Sequence, residues 1–411
     1  MALELHPALR VERARVGAAE QGIVEARGNY LPQARLDGFG TRFQEPMVIA
    51  PLHGFNPQEP PEFNRTLMQI QASVGVTLLD GGLRRAGVDR AEAGVAASER
   101  QLEATRATVI MEVATSWLEV SAGRETVAAH ESRVVALGAE RDRVRQLVEV
   151  GRAAPLDSLR VLAALQAAEA ERIASVEQVM AAEAALARLV GQTGGTVRQA
   201  VLAPVHLTAA LPIRASLHAE ARRGNPEVAV ADARVAQAEA QAAVVRSSRW
   251  PEIRLVGGYT DYWSGEGRLT GEWQGGLRVG FPVFTGGIRR AAGQRASMDL
   301  GATLAARDAV VLHLETALDR AIAAEAGAQA RAAALVAAVE RYEEVVRIEQ
   351  LALDAGAGTR RDWIVAQADL VSARSALIGA RHAQVLARLE VGRLTGTLTP
   401  ESLPALLEIE P

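Results

Sequence analysis

The sequence has no cysteine and no lysine, and all 45 of its basic residues are arginine. The absence of cysteine excludes disulfides, thiol chemistry and cysteine zinc sites, and it leaves this sequence without a residue for a lipid anchor. The formal net charge of −4 gives no strong positive field, so we expect no nucleic-acid partner. No stretch resembles a twenty-residue apolar helix, and we therefore expect no membrane-spanning helix.

Catalytic motifs are also missing. The seven histidines are scattered, and none forms a helical pair or a cluster with carboxylates at metal-ligand spacing. Gly82 and Gly87 have the spacing of a phosphate-binding loop, but the lysine and hydroxyl residue that would complete it are absent. These patterns predict a protein that is not an enzyme and that needs no metal and no cofactor.

Aromatic residues are few and unevenly placed. The chain has six Phe, five Trp and four Tyr, and all but three of them lie in the windows 30–63 and 250–284. The core of a soluble protein would normally contain aromatic residues along the whole chain. Here they coincide with the segments that have the pattern of strands, and we interpret Trp117, Tyr342 and Trp363 as helix-packing residues.

The stretch 272–292 changes its structural period halfway along. Apolar and polar residues first alternate, which is typical of a strand with one apolar face. A proline-free helical pattern then continues to about residue 355. The stretch 66–86 makes the same change, and the sequences LDGGLRRA at 79–86 and FTGGIRRA at 284–291 align at a shift of 205 residues, which indicates an internal repeat.

We predict two structural repeats, 1–191 and 214–396, joined by a linker at 192–213 and followed by a tail at 397–411. Each repeat should contain a helix, a strand hairpin, a long helix and a shorter helix. The two shorter helices together match the length of the long helix, so they can pack end to end along it. Heptad-spaced valines in the first long helix predict coiled-coil packing. The predicted strands are 33–43, 66–79, 252–263 and 271–284, and the predicted helices that follow them are 83–150, 156–190, 288–355 and 361–395.

The amino end has neither the basic start nor the apolar core of a signal peptide. His6-Pro7 and Asn225-Pro226 begin equivalent helices, and the second copy has more helix-compatible residues before this point. We expect the natural precursor to be longer at its amino end.

The predicted strands are long enough to cross a bilayer, which takes about ten residues of a tilted strand. Four strands cannot close a barrel, and lipid does not tolerate open strand edges. We therefore expect several copies of the chain to contribute to one barrel. The alternative is a soluble periplasmic coiled-coil adaptor or scaffold protein, in which the strands form a small capping sheet.

The order and duplication of these features resemble the outer-membrane factor family, the TolC-like efflux and secretion ducts. The similarity covers nearly the whole chain and includes VGRAAPLD at 150–157. It implies an α+β membrane protein that forms a homotrimer, with a twelve-stranded β-barrel in the lipid of a Gram-negative outer membrane and a twelve-helix α-barrel in the periplasm. It also implies a passive duct of a tripartite system, with a periplasmic adaptor and an inner-membrane pump as partners. The cargo is left open between drugs, metal ions, other small molecules and proteins.

The resemblance also implies functional residues at the tips of the helical hairpins, which in this family contact the adaptor and close the tunnel. Asp362 matches an acidic position that lines the constriction, whereas Val365 occupies the second acidic position of the family. Arg360 and Arg361 are candidates for ion pairs at the closed tip, with ordinary solvated arginine as the alternative. Asp157 and Asp362 can also serve as caps of the following helices, and for Asp157 we favour the cap. The candidate adaptor-contact residues are Gly151, Arg152, Pro155, Asp157, Gly356 and Gly358, and the candidate strand-to-helix joints are Gly81, Gly82, Gly286 and Gly287.

Overall fold

A computed structural model describes residues 4, 6–49, 53, 57–58, 60–192, 197–198, 207 and 210–403. More than half of the predicted linker and of the predicted tail lies outside the described residues. The helices are α1 (Pro7–Gly28), α2 (Leu83–Glu149), α3 (Pro155–Val190), α4 (Arg214–Gly224), α5 (Pro226–Ser247), α6 (Ile288–Asp354) and α7 (Arg360–Thr395). The strands are β1 (Gln33–Val48), β2 (Phe63–Leu79), β3 (Glu252–Ser264) and β4 (Gly267–Gly280).

The strand bounds differ from the predicted ones more than the helix bounds do. β1 continues to Val48 and β2 begins at Phe63, so the connection between them is shorter than the sequence pattern predicted. The prediction of a strand at 271–284 was wrong at both ends, because β4 begins at Gly267 and ends at Gly280. Pro282 accounts for the early end, since proline has no N–H to donate to a neighbouring strand.

The four strands form one antiparallel sheet in the order β1-β2-β3-β4. Direct partners across the strands place Ala72, Tyr259 and Trp273 on one face. The opposite face carries Arg254, whose partners are Thr77 on β2 and Arg278 on β4. The first face is apolar and exposed. Its exposed large side chains include Leu36, Ile70, Val74, Leu255, Tyr259, Trp273 and Leu277.

The chain divides into two compact units, and each unit draws on both halves of the sequence. The sheet unit comprises Ala14–Glu99 and Ala231–Arg307, and it contains all four strands. The helical unit comprises the described residues of Met1–Arg13, Arg100–Val230 and Asp308–Pro411.

The core of the helical unit consists of aliphatic side chains from helices far apart in the sequence. Leu118 of α2 packs in one cluster with Leu389 of α7, and both are at most 1% exposed. Leu318 of α6 is fully buried in a second cluster with residues of α4 and α7. Val120, one of the heptad-spaced valines of α2, is also fully buried. Each such side chain contributes about 2 kcal/mol of hydrophobic stabilisation relative to an exposed one.

Helix α5 begins at a buried cap. The Asn225 side-chain oxygen accepts hydrogen bonds from the N–H groups of Glu227 (2.9 Å) and Val228 (3.0 Å). Its amide nitrogen donates to the carbonyl of Leu394 in α7 at 3.0 Å, so the cap also ties the first residues of α5 to α7.

One helix corrects the expectation that no segment could span a membrane. In the described part of the chain, an 18-residue window of α6 has a mean hydropathy of 1.3, and 11% of that window is buried. The window qualifies by length and composition alone.

Candidate functional site

Both tips of the helical unit are built around a left-handed glycine. Gly151 ends α2 with φ of 71°, and Gly356 ends α6 with φ of 74°. After Gly151, the Arg152 N–H donates to the Leu147 carbonyl at 2.7 Å, which closes the last turn of the helix. Gly358 is needed for space, because a Cβ there would lie 2.9 Å from the Cβ of Ala352.

Side chains from all four tip helices meet in one apolar cluster. Leu137 of α2, Leu165 and Ala168 of α3 and Trp363 of α7 are its buried members, and Leu353 of α6 packs against them. Trp363 is 2% exposed, so it is a packing residue as the sequence predicted. Its indole N–H has no hydrogen-bond partner in the described part of the chain. The cluster fixes the two helical hairpins against each other near their ends.

An ion-pair network lies beside this cluster, and Arg360 is at its centre. The Arg360 guanidinium donates to the carboxylate of Glu140 at 3.2 Å and to that of Asp157 at 3.3 Å. Arg143 bonds to Asp354, and its guanidinium lies 4.0 Å from Glu140. The network therefore joins the first helical hairpin to the second at the tip.

The Glu140 side chain is only 4% exposed. Burial raises the pKa of Glu140 above its ordinary value, and this effect outweighs the positive charges of Arg143 and Arg360, which lower it. Glu140 therefore binds a proton at higher pH than a solvent-exposed glutamate does. Because its carboxylate is buried, the tip depends on Arg360 to balance that charge.

Asp157 and Asp362, the two aspartates at the tip, have partners that differ from those expected of helix caps. The preferred role of Asp157 as a helix cap was wrong, because α3 has Ala154 at its N-cap position with no side-chain cap and Pro155 in the first turn. Asp157 instead pairs with Arg360, and it lies 3.6 Å from Arg160. The N-cap of α7 is Thr359, which accepts from the Asp362 N–H at 3.2 Å.

Asp362 and Arg361 are both exposed at the start of α7. The Asp362 carboxylate accepts the Thr359 hydroxyl hydrogen at 2.6 Å, so it supports the cap while facing solvent. The alternative that Asp362 is itself the cap of α7 was wrong, because Thr359 is the cap and Asp362 only accepts a hydrogen bond from it. The constriction role of Asp362 stays a prediction. The structure brings Arg360 and Asp157 together but leaves Arg361 and Asp362 out of the buried network.

Sequence reasoning missed Glu140, Arg143 and Asp354. The only sign of this pairing in the sequence is that Glu140 and Arg143 are one helical turn apart, a spacing that many solvent-exposed pairs share. The burial of Glu140 and the pairing of all three residues depend on partners more than 200 positions away, Arg360 for Glu140 and Asp354 for Arg143.

The first strand-to-helix joint lies in the sheet unit and is held by Asp80. Gly81 and Gly82 have φ of 63° and 87°. The Asp80 carboxylate accepts from the Gly82 N–H at 3.1 Å, the Arg84 N–H at 3.0 Å and the Arg84 Nε at 2.7 Å. Burial raises the pKa of Asp80, whereas the hydrogen bonds and positive charge of Arg84 lower it. The second effect is larger, so the pKa of Asp80 is below its ordinary value. Arg84 also lies 4.7 Å from the ring centroid of Tyr30.

The second joint has the same backbone conformation and different partners. Gly286 and Gly287 have φ of 59° and 85°. Arg289 donates to the carbonyls of Ser248 at 3.0 Å and Pro282 at 3.2 Å. All four predicted joint glycines therefore adopt a conformation that disfavours other residues.

Polar and charged groups at these sites show no arrangement for metal chemistry. Among the residues that the structure describes, no group of three or more His, Asp or Glu side chains is placed to hold a metal ion.

Comparison with known proteins identifies the family. A family model for outer membrane efflux proteins matches residues 1–192 and 217–397. The outer membrane efflux protein BepC of Brucella suis biovar 1 (strain 1330) is 24% identical over 386 residues, covering 89% of this chain and 82% of that protein. The crystal structure of the outer membrane protein VceC from Vibrio cholerae has a TM-score of 0.79 at 18% identity, covering 96% of this chain and 94% of that one. The CmeC outer membrane channel of Campylobacter jejuni has a TM-score of 0.80 at 15% identity, covering 96% and 84%.

The family match covers both halves of the sequence, and the solved structures share the arrangement of helices with a small antiparallel sheet. The resemblance inferred from the sequence is thereby confirmed, and the alternative of a soluble adaptor is not supported. The chain belongs to the outer membrane efflux protein family and is an outer-membrane channel protein with a periplasmic part.

Proposed function

We propose that three copies of the chain form a passive duct of a tripartite efflux or secretion system. Each copy would supply four strands to a twelve-stranded barrel in the outer membrane and its helices to a twelve-helix tunnel in the periplasm. The duct would receive substrates through a periplasmic adaptor from an inner-membrane pump. The two halves, 1–191 and 214–396, would act as structural repeats of each copy.

The observation that carries this proposal is the sheet. Its apolar face is exposed, with Trp273 80% exposed and Leu277 66% exposed. Its outer strands, β1 and β4, each pair with only one neighbour in the described chain. Lipid accepts the apolar face, but it does not accept unpaired strand edges. Pairing of β4 in one copy with β1 in the next would remove every edge.

Exposed apolar stripes on the helices support the same assembly. On α3, Leu156, Leu159 and Ile173 are each more than 50% exposed, and on α6 so are Ile348 and Leu351. Their spacings follow one face of each helix. Packing of such stripes between neighbouring copies would bury them, as in a coiled-coil seam.

In this duct, the residues at the helical tips would close the tunnel and contact the adaptor. Arg360 would hold the closed tip through Glu140 and Asp157, and Arg361 and Asp362 would face the constriction, where three carboxylates attract cations. The turns of Gly151, Arg152 and Pro155 and of Gly356 and Gly358 would contact the adaptor. The glycine pairs at the joints would let the backbone change from strand to helix in a crowded ring.

Oligomeric state in detergent tests the assembly. The purified protein should have a mass near three times 43.6 kDa after subtraction of bound detergent, measured by native mass spectrometry or light scattering. Leu277→Arg on the apolar face should lower the trimer yield, since a charge on the lipid face costs up to about 2–4 kcal/mol, depending on its depth. Gln274→Arg, on the polar face of the same strand, is the matched control and should leave the yield unchanged. A monodisperse monomer without detergent would contradict the proposal.

Single-channel conductance tests whether Arg360 holds the tip closed. Arg360→Gln leaves the buried Glu140 without its main partner and should weaken the closed tip by about 3 kcal/mol. Single-channel currents in planar bilayers should therefore be larger for Arg360→Gln than for the unmodified protein. Arg347→Gln removes the same charge from an exposed position of α6, where Arg347 pairs with Glu344 of its own helix, and it should leave the current unchanged. Equal currents from both variants would rule out Arg360 as a closing residue.

A further inference from the structure

The sheet unit contains a cavity of about 1140 Å³ on the polar side of the sheet. Thr77, Glu252 and Arg254 contribute from the strands, and α1, α2 and α5 supply most of the remaining wall. Four arginines and three carboxylates line it: Arg84, Arg90, Arg234 and Arg254, with Glu25, Asp80 and Glu252. Several of these charges are already committed to partners, so their pairing decides what the cavity can bind.

Arg254 extends from β3 across the face of β2. Its Nη2 atom lies 3.7 Å from the position that a Cβ on Gly75 would take. Its Nε atom is buried and has no hydrogen-bond partner in the described part of the chain. The Glu252 carboxylate lies 3.6 Å from Nε, beyond hydrogen-bond distance, and it accepts from the Thr77 hydroxyl at 3.2 Å. Buried donors in folded proteins are normally hydrogen-bonded, so the Arg254 Nε–H is open to an acceptor from a bound group.

Arg278 places a second guanidinium beside the first. It is the direct cross-strand partner of Arg254, so both side chains leave the same face of the sheet. No ion pair of Arg278 is found among the described residues. Like charges directly opposite each other in a sheet are destabilising. An anion between or above the two groups would relieve this repulsion.

The other charges around the cavity do not supply that anion. Asp80 is engaged by Arg84 at 2.7 Å and by two backbone N–H groups. Arg90 donates to the neutral amide of Gln241 at 3.2 Å. Glu252 forms an ion pair with Arg254 at 3.6 Å and balances one of the two guanidinium charges, so Arg254 and Arg278 together keep a net positive charge with Glu252.

We propose that Arg254 and Arg278 form a binding site for anionic groups of exported small molecules, such as carboxylate, sulfonate or phosphate. The inference rests on the proposed duct, in which the polar face of the sheet lines the lumen. Guanidinium groups bind such oxyanions through two parallel hydrogen bonds. Three copies would bring six guanidinium groups to one level of the lumen and make it selective for anions.

Ion selectivity of the reconstituted full-length protein tests this site. In planar bilayers under a KCl gradient, the reversal potential gives the chloride-to-potassium permeability ratio, which the arginines should raise and the Asp362 carboxylates at the constriction should lower. The double variant Arg254→Gln/Arg278→Gln should lower the chloride-to-potassium permeability ratio by about threefold, the size expected for loss of six partly screened charges. Mellitate, a small polycarboxylate, should block the unmodified channel and lose its block in the variant.

Two controls make the outcome specific. Arg85→Gln removes the same charge from a part of α2 that does not line the cavity, and it should keep the selectivity of the unmodified channel. Arg254→Lys/Arg278→Lys keeps both charges and should keep the permeability ratio of the unmodified channel. If the double glutamine variant forms no channels, Arg278→Gln alone should give a smaller drop in the same ratio.

An unchanged permeability ratio in the glutamine variants, or mellitate block that persists in them, would overturn the site and leave the duct intact. Absence of any channel current from the unmodified protein would overturn the proposed duct and this inference with it.

Discussion

The two strand-to-helix joints have nearly the same sequence, LDGGLRRA and FTGGIRRA, and nearly the same glycine dihedral angles, but different surroundings. At the first joint, a Cβ on Gly81 would overlap the side chain of Trp250. At the second joint, a Cβ on Gly286 would meet nothing within 4 Å. Asp80 holds Arg84 at the first joint, whereas Thr285 stands at the equivalent position of the second. The backbone requirement is therefore set locally, while the packing around each joint depends on its position in the sheet.

Alanine in place of the first glycine of each joint should give the largest difference. Gly81→Ala combines an unfavourable left-handed residue with overlap against Trp250, at about 3 kcal/mol in total. Gly286→Ala carries only the backbone penalty of about 1–2 kcal/mol. Thermal melting of the detergent-solubilised protein measures both. An equal loss at the two joints would show that another surface, such as a second copy, covers Gly286.

Loss of the carboxylate should have the next largest effect. Asp80→Ala removes the acceptor of two backbone N–H groups and of the Arg84 guanidinium, and it should cost about 2 kcal/mol of stability. Thr285→Ala, the matched change at the second joint, should stay within about 0.5 kcal/mol. The converse variant, Thr285→Asp, should raise the melting temperature by giving Arg289 and the start of α6 a carboxylate. A similar loss from both alanine variants would remove the distinction between the joints.

Acid should weaken the first joint and leave the second nearly unchanged. The pKa of Asp80 in the folded protein is below its ordinary value of 3.8, so its ionised form favours folding above that pH. This stabilisation is lost as the pH falls through the folded pKa. The difference in melting temperature between the unmodified protein and Asp80→Asn should therefore shrink between pH 6 and about pH 3. A constant difference would show that hydrogen bonding, rather than charge, is what Asp80 contributes.

Local sequence was sufficient for much of the fold. The change of period beyond Gly82 and Gly287 predicted where strands give way to helices, and the long helices begin at Leu83 and Ile288 as expected. Alternation predicted the two faces of the sheet. It failed at Phe281 and Val283, where the pattern continues past the end of β4 although Pro282 prevents strand pairing.

The tip was less predictable. Arg360 was a candidate for an ion pair, but its partners were not, because Glu140 looks like any exposed helical glutamate in the sequence. Asp157 looked like a cap and is an ion-pair partner instead. Such errors arise where burial decides the role of a charged group, since burial is a property of the packed helices.

The sequence by itself determined the duplicated order of elements, the glycine turns and the apolar and polar faces of the sheet, because these follow from residues close together in the chain. Only the tertiary structure decided that β2 pairs with β3, that Trp363 packs on Leu137 and Leu165, and that Glu140 is buried under Arg360. These contacts join segments more than a hundred residues apart, and their free energy comes from surface that neither segment buries alone.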